Sequence, residues 1–251
     1  MFRTKTIIAA VAGAMFAFGG QEAVAQDGNI AVTYQAKVKS GMVAQFETAI
    51  AAHVQWRRDN NDPWTWNTYQ VMTGNNINEF RFRSGSHQWA DFDQYSAFLA
   101  EGAVHFNETV APYLESITSN ITEWDTTHVN MPEDQQSLYN VITFHIAPGQ
   151  MGTAMEVVAK FHEAATKTSW SGQYGFETVA NGGWGNKLRV VIPIGNWAGM
   201  AEPDPSMEMM MVQAFGQEEA MAIFEKMGTA ITAEESEVVM HRPDLSVNST
   251  T

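Results

Sequence analysis

Residues 78–89 and 186–197 share one frame at a spacing of 108: Asn78, Arg81 and Trp89 answer Asn186, Arg189 and Trp197. Phe80 and Phe82 in the first segment match Leu188 and Val190 in the second. An arginine therefore recurs inside an otherwise apolar, strand-like run. Such a recurrence constrains the chain to two copies of one supersecondary unit.

The frame extends outward. In Asn29–Lys39, Ile30, Val32, Tyr34, Ala36 and Val38 alternate with Ala31, Thr33, Gln35, Lys37 and Lys39, the pattern of a half-buried strand. At the same offset Leu138, Ile142, Phe144 and Ile146 form an apolar face, and the turn glycine Gly41 meets Gly149. A helical stripe follows in each copy: Met42, Phe46, Ala49, Ile50, His53 and Val54, then Gln150, Ala154, Val157, Val158, Phe161 and His162. Two strands joined by Gly74-Asn75-Asn76 come next, with Asn181-Gly182-Gly183 in the second copy. Helical spacing then predicts a helix carrying Leu99, Ala103, Phe106, Val110, Leu114 and Ile117, interrupted near Pro112. Its counterpart carries Met207, Met211, Phe215, Phe224, Met227 and Ile231. Closing strands are expected near Trp124–Met131 and Glu235–His241. Each copy thus reads β-α-β-β-α-β, a ferredoxin-like unit in an α+β chain. The expected boundaries are 26–134 and 135–246, with a tail at 247–251.

The first 25 residues stand apart. Arg3 and Lys5 precede an apolar run from Ile7 to Phe18, and Ala23-Val24-Ala25 offers small residues for cleavage. The run is too short to span a bilayer, so the expectation is an exported protein, periplasmic or secreted, with no membrane insertion after signal removal. Removing this segment takes Arg3, Lys5 and Glu22 from 14 basic and 28 acidic side chains, leaving 12 against 27. That acidity disfavours nucleic acid and anionic lipid as partners. There is no cysteine, so stability rests on packing.

The segments Ala36-Lys37-Val38-Lys39-Ser40-Gly41 and His145-Ile146-Ala147-Pro148-Gly149, with the strand-then-tryptophan runs at Trp89 and Trp197, resemble the dimeric α/β-barrel superfamily. Antibiotic-biosynthesis-monooxygenase-like and NIPSNAP-type domains belong to that group. The resemblance implies two ferredoxin-like sheets closing into one barrel. Here they would form a pseudo-dimer within one chain, with further homo-oligomerisation as an option. It also implies that Phe80, Phe82, Leu188 and Val190 face helices, while Glu79, Arg81, Arg83, Lys187, Arg189 and Val191 face the interior. From the first strands Thr33, Gln35, Lys37, Val141, Thr143 and His145 would join them.

An unpaired buried guanidinium costs several kcal/mol. Arg81 and Arg189 must then be ion-paired, Arg189 with Glu177 for example, or hold an anionic ligand beside Gln35 and Thr143. His145 would act as the base if chemistry occurs. The functional expectation is a small-molecule-binding barrel, of the cofactor-independent monooxygenase or isomerase kind, acting on an anionic or enolisable substrate. The alternatives are a filled, non-catalytic module and a haem protein of chlorite-dismutase architecture. No metal-site spacing occurs among the seven histidines. His53 and His162 read as satisfied core histidines, and Met207 and Met211 as core packing beside Phe215 rather than a copper site. Trp56, Trp64, Trp66, Trp170 and Trp184 would either rim a pocket or staple the halves together.

Overall fold

The computed structural model describes residues 28–247. The expected signal segment lies outside the described residues. The order is β1 (Ile30–Val38), α1 (Val43–Asp59), β2 (Asn67–Val71), β3 (Glu79–His87), α2 (Trp89–Thr109) and β4 (Leu114–Trp124). It continues with β5 (Leu138–Ile146), α3 (Met151–Thr168), β6 (Gly175–Asn181), β7 (Lys187–Pro193), α4 (Met207–Phe215), α5 (Gln217–Ala230) and β8 (Ile231–His241). The last helical region is split at Gly216, whose φ of 82° ends α4 and opens α5.

The strands close into one antiparallel barrel in the order β1-β3-β2-β8-β5-β7-β6-β4. Four neighbours come from the first half (β4-β1-β3-β2) and four from the second (β8-β5-β7-β6). The seams are β2 with β8, where Tyr69 faces His241, and β4 with β6, where Trp124 faces Glu177. Closure pairs every edge that two separate sheets would leave exposed.

Period-two alternation sends one face of each strand to the helices and the other inward. Val32, Ala36, Phe80 and Phe82 meet Phe46, Ile50 and Val54 of α1 in one core. Ile146, Phe176 and Leu188 meet Ala154, Val158 and Met211 in another. Phe46 and Phe80 are fully buried with ring centroids 4.7 Å apart, each worth about 2–3 kcal/mol of burial. Gly41 and Gly149 turn the chain into α1 and α3 with φ of 77° and 79°, a left-handed conformation that side chains disfavour.

Several expected boundaries shift. α2 ends at Thr109, and Leu114 and Ile117 belong to β4 rather than to the helix. Pro112, without an amide proton, sits in a short 3-10 turn, and the Ser- and Thr-rich run beyond it pairs along β1. The first closing strand therefore ends, rather than begins, at Trp124. Ile231 likewise opens β8 instead of closing a helix. Met210 and Met211 are the buried pair of α4, whereas Met207 is exposed. Val247 is not part of a loose tail: it is 1% exposed and bridges to Trp66.

Candidate functional site

Of the charged residues that alternation directs inward, Arg81, Arg83 and Arg189 line the interior hollow, whereas Lys187 does not and Lys37 pairs with the exposed Glu115. Glu177 on β6 receives Arg189 Nη1 at 2.9 Å and Arg83 Nη2 at 2.7 Å, and Thr122 Oγ1 donates to it at 3.0 Å. Burial alone would raise its pKa; Arg83 and Arg189 instead pull it down to about 2. Arg81 pairs with Glu237 of β8 and lies 3.8 Å from Glu79. Both repeated arginines are thus ion-paired, Arg189 with Glu177 as one reading anticipated. A hollow of about 220 Å³ remains, with Arg81, Arg189 and Gln35 in its wall.

Thr143 and His145 are not among the residues lining this hollow. His145 lies at the end of β5, where its Nε2 meets Glu235 at 3.1 Å and its ring packs edge-on to Trp184. Trp184 is 76% exposed. The expected base thus stands near the end of β5, two alternations beyond Val141, the last residue of that strand to line the hollow.

The chemistry gathers elsewhere, between the sheet and the helices of the first half. A cavity of about 340 Å³ opens there beneath α1 and α2, with Ile50, Val54, Phe82, Leu99 and Phe106 among its mostly apolar walls. His53, Arg57, Tyr34 and Trp66 line it as well. Arg57 is held on three sides. Its Nε donates to His53 Nε2 at 3.0 Å, and its Nη1 donates to Asp62 at 2.7 Å and to the Tyr95 hydroxyl at 3.1 Å. Its guanidinium carbon also lies 5.0 Å from the Trp66 ring centre, a cation–π contact.

This network fixes protons as well as positions. A guanidinium nitrogen only donates, so His53 Nε2 accepts and its ring proton sits on Nδ1. His53 Nδ1 lies 2.9 Å from His105 Nδ1, which is then the acceptor. Burial, with Arg57 and His105 beside it, lowers the His53 pKa to about 3, so the ring stays neutral. His53 is the satisfied core histidine expected, but it also orients a cavity arginine. Asp62 supplies the counter-charge from a fully buried side chain and accepts the Trp64 amide at 2.9 Å.

Two polar groups at this wall remain unspent. Arg57 Nη2 has no hydrogen-bond partner among the described residues, and neither does the Tyr34 hydroxyl. Gly102 of α2 faces Nη2: a β-carbon there would stand 3.5 Å away. Glycine within a helix costs about 1 kcal/mol relative to alanine, and here it leaves the guanidinium edge uncovered. Trp66 lines this cavity and Trp170 a second one under α3, so the tryptophans divide between the halves. The four-residue spacing that a helical pair of metal-binding histidines would show is held here by His53 and Arg57.

No family model and no curated protein matches the sequence. Solved structures do match. A candidate monooxygenase from Lactobacillus acidophilus NCFM aligns over 87% of this chain and 95% of its own, with a TM-score of 0.54 and 11% identity. An anthrone oxidase-like protein aligns over 90% and 96%, with a TM-score of 0.51 and 12% identity. Chlorite dismutase from Candidatus Nitrospira defluvii, in complex with imidazole, aligns over 87% and 93% with a TM-score of 0.53 and 8% identity. The fold is that of the dimeric α/β barrels. At such identities the likeness carries architecture and nothing finer.

The chlorite dismutase likeness raises haem, and the residues can be tested against it. The largest cavity described, about 560 Å³ under α3 and α5, has no histidine in its wall. Tyr174 there contacts His162 Nδ1 through its hydroxyl at 2.9 Å. In the smaller first-half cavity both nitrogens of His53 are engaged. Neither place presents a free imidazole as axial ligand, so the residues of these two cavities do not fit a histidine-ligated haem.

Proposed function

We propose that this protein is a small-molecule-binding α/β barrel built from two tandem ferredoxin-like units, with its ligand in the first-half cavity. The ligand is a planar, largely apolar molecule carrying one enol or phenol oxygen. The observation that carries this reading is Arg57: two of its guanidinium nitrogens, Nε and Nη1, are committed and the third, Nη2, is unspent at the wall of an apolar cavity. Because Asp62 already balances its charge, Arg57 suits an oxygen that gains negative charge during ionisation more than a permanent anion. In a low-dielectric cavity such a prepositioned donor acts strongly. Tyr34, its own ionisation opposed by burial, can donate to the same oxygen.

An ionised enol is electron-rich and can reduce dioxygen, the co-substrate. A C–O bond forms at its carbon as a hydroperoxide, and loss of water from that carbon leaves a ketone. One oxygen atom thus enters the product, and the other leaves as water with the two carbon-bound hydrogens. The names of the matching monooxygenase and anthrone oxidase-like proteins support this direction. Titrating 1-naphthol against the protein and following its phenolate absorbance tests the reading. The bound phenol should ionise about 1–3 pH units below the free one. Arg57→Lys should remove most of that shift, and Tyr34→Phe part of it. A bound naphthol that titrates like the free compound would overturn the assignment. Oxygen uptake with anthrone separates an oxygenase from a binding protein.

Export is part of the same proposal, supported by Arg3, Lys5 and the apolar run to Phe18. Protein secreted by a bacterial host should begin at Gln26, as N-terminal sequencing would read. An intact Met1 on exported protein would contradict it.

A further inference from the structure

We propose that the hollow inside the barrel is a second binding site, separate from the α1–α2 cavity, for a small monocarboxylate. Three observations meet there. The first is charge. Glu177 answers two guanidiniums, Arg83 and Arg189, so this layer of the interior keeps one positive charge in excess. The opposite imbalance lies with Arg81, set between Glu237 and Glu79. One end of the hollow is therefore cationic.

The second observation is a surplus of donors. Arg189 is 9% exposed, lines the hollow, and has no partner for its Nε and Nη2 among the described residues. Arg81 Nε is buried without any partner. The side-chain amide of Gln35 makes no hydrogen bond among the described residues while lining the same space. Tyr69 and Tyr139 accept from Gln135 Nε2 at 3.1 and 2.8 Å, and neither donates its own hydroxyl proton to a described acceptor. Burial raises both phenols, Tyr139 to about 12, so those protons are retained. Among the described residues Arg81 Nε is the buried donor left without an acceptor. Such groups are uncommon in folded proteins and call for a bound acceptor, and the other donors have spare capacity in the same wall.

The third observation is shape. The rest of the wall is largely apolar, with Val141, Val191 and Val239, and with Met131 from the inter-half linker packed against the cluster of Val141 and Val239. A volume of about 220 Å³ whose wall combines these donors with valine methyl groups suits a carboxylate on a short hydrocarbon.

The test is calorimetric titration of the full chain with sodium butanoate at neutral pH, against a sodium chloride background of equal ionic strength. One saturable site and a raised thermal midpoint are expected. Arg189→Met, which leaves Glu177 paired with Arg83, should weaken binding at least tenfold, and Gln35→Leu should weaken it measurably. Val191→Phe should abolish it by filling the hollow. Tyr34→Phe, in the other cavity, should leave it unchanged, while naphthol binding should survive Val191→Phe. With ¹³C-labelled butanoate, nuclear Overhauser contacts should appear to the Val141 and Val191 methyl groups, a readout independent of any variant. No saturable binding, an equal response to chloride alone, or contacts to Ile50 and Phe106 instead would each overturn the proposal.

Discussion

Replacing Glu177 with glutamine should destabilise the barrel by about 3–5 kcal/mol, because it leaves the buried Arg189 and the half-buried Arg83 facing each other without a counter-ion. In a chain of this size that is a fall of roughly 10 °C or more in thermal midpoint. Arg189→Met should cost much less, since Glu177 keeps Arg83 and the two threonine hydroxyls on Arg83 stay in place. The same group sets an acid limit. Its pKa is depressed from 4.5 to about 2 in the folded protein. Its contribution is therefore complete above the unfolded value and is lost as pH falls through the window from about 4.5 to 2. The shift corresponds to roughly 3 kcal/mol by linkage. Chemical denaturation from pH 7 to pH 2 measures it, and the wild-type loss in that window should be mostly absent in Glu177→Gln. A variant within about 1 kcal/mol of wild type would mean that water in the hollow screens the arginines, and the charge argument for a ligand there would weaken with it.

The sequence made the barrel legible because its signal is periodic. Alternation in β1, β3, β5 and β7 states which side chains face helices and which face inward, and the shared frame of Arg81 and Arg189 ties the two halves together. The strand order then follows from pairing each half's outer strands across the seams. Boundaries were harder. Val110, Leu114 and Ile117 fit helical spacing as well as strand alternation, and the fact that decides between them, β4 pairing along all of β1, is a long-range one. The site was the least legible part. Nothing local to Asp62, Tyr95 or His105 says that they converge on Arg57, because they come from a loop and from α2, 33 residues or more apart in some pairs. The pairing of Arg81 with Glu237 spans 156 residues. Strand alternation assigns His145 to the inward set but could not say that β5 ends just beyond it, with Glu235 and the exposed Trp184 as its neighbours.

The contrast between the halves sharpens the functional reading. The second-half cavity is larger, yet residues 165 and 166, which fall where Arg57 would repeat, are Ala165 and Thr166. His162, one position past the residue that answers His53, binds Tyr174 instead of an arginine. The duplicated frame thus carries one polar constellation, in the first half, and an apolar, methionine- and aromatic-rich wall in the second. Ligand ionisation at Arg57 should accordingly saturate at one equivalent per chain, while the second cavity offers no group to shift a phenol.

A single substitution in that constellation should cost as much as the loss of Glu177. Asp62→Ala removes a fully buried carboxylate that accepts from Arg57, Tyr95 and the Trp64 amide. The guanidinium would be left buried and unbalanced, and the Tyr95 hydroxyl and Trp64 amide would lose an acceptor. The expected destabilisation is about 3–5 kcal/mol, with loss of the near-ultraviolet circular dichroism of Trp64 and Trp66, which pack on Tyr95 and on each other. Asp62→Asn keeps the shape and should cost less. The decisive comparison is the double variant Arg57→Met/Asp62→Leu, which replaces the pair by apolar groups of similar size. Removing both charges avoids the orphaned ion, so the double variant should recover about half or more of the loss, a coupling of roughly 2–3 kcal/mol in a double-mutant cycle. It should nonetheless fail to acidify 1-naphthol. A stable fold without that activity would separate the two roles of Arg57: its ion pair is replaceable in folding, and its free edge is what the cavity presents to a ligand. Additive single costs would instead show that the pair does not act as a unit.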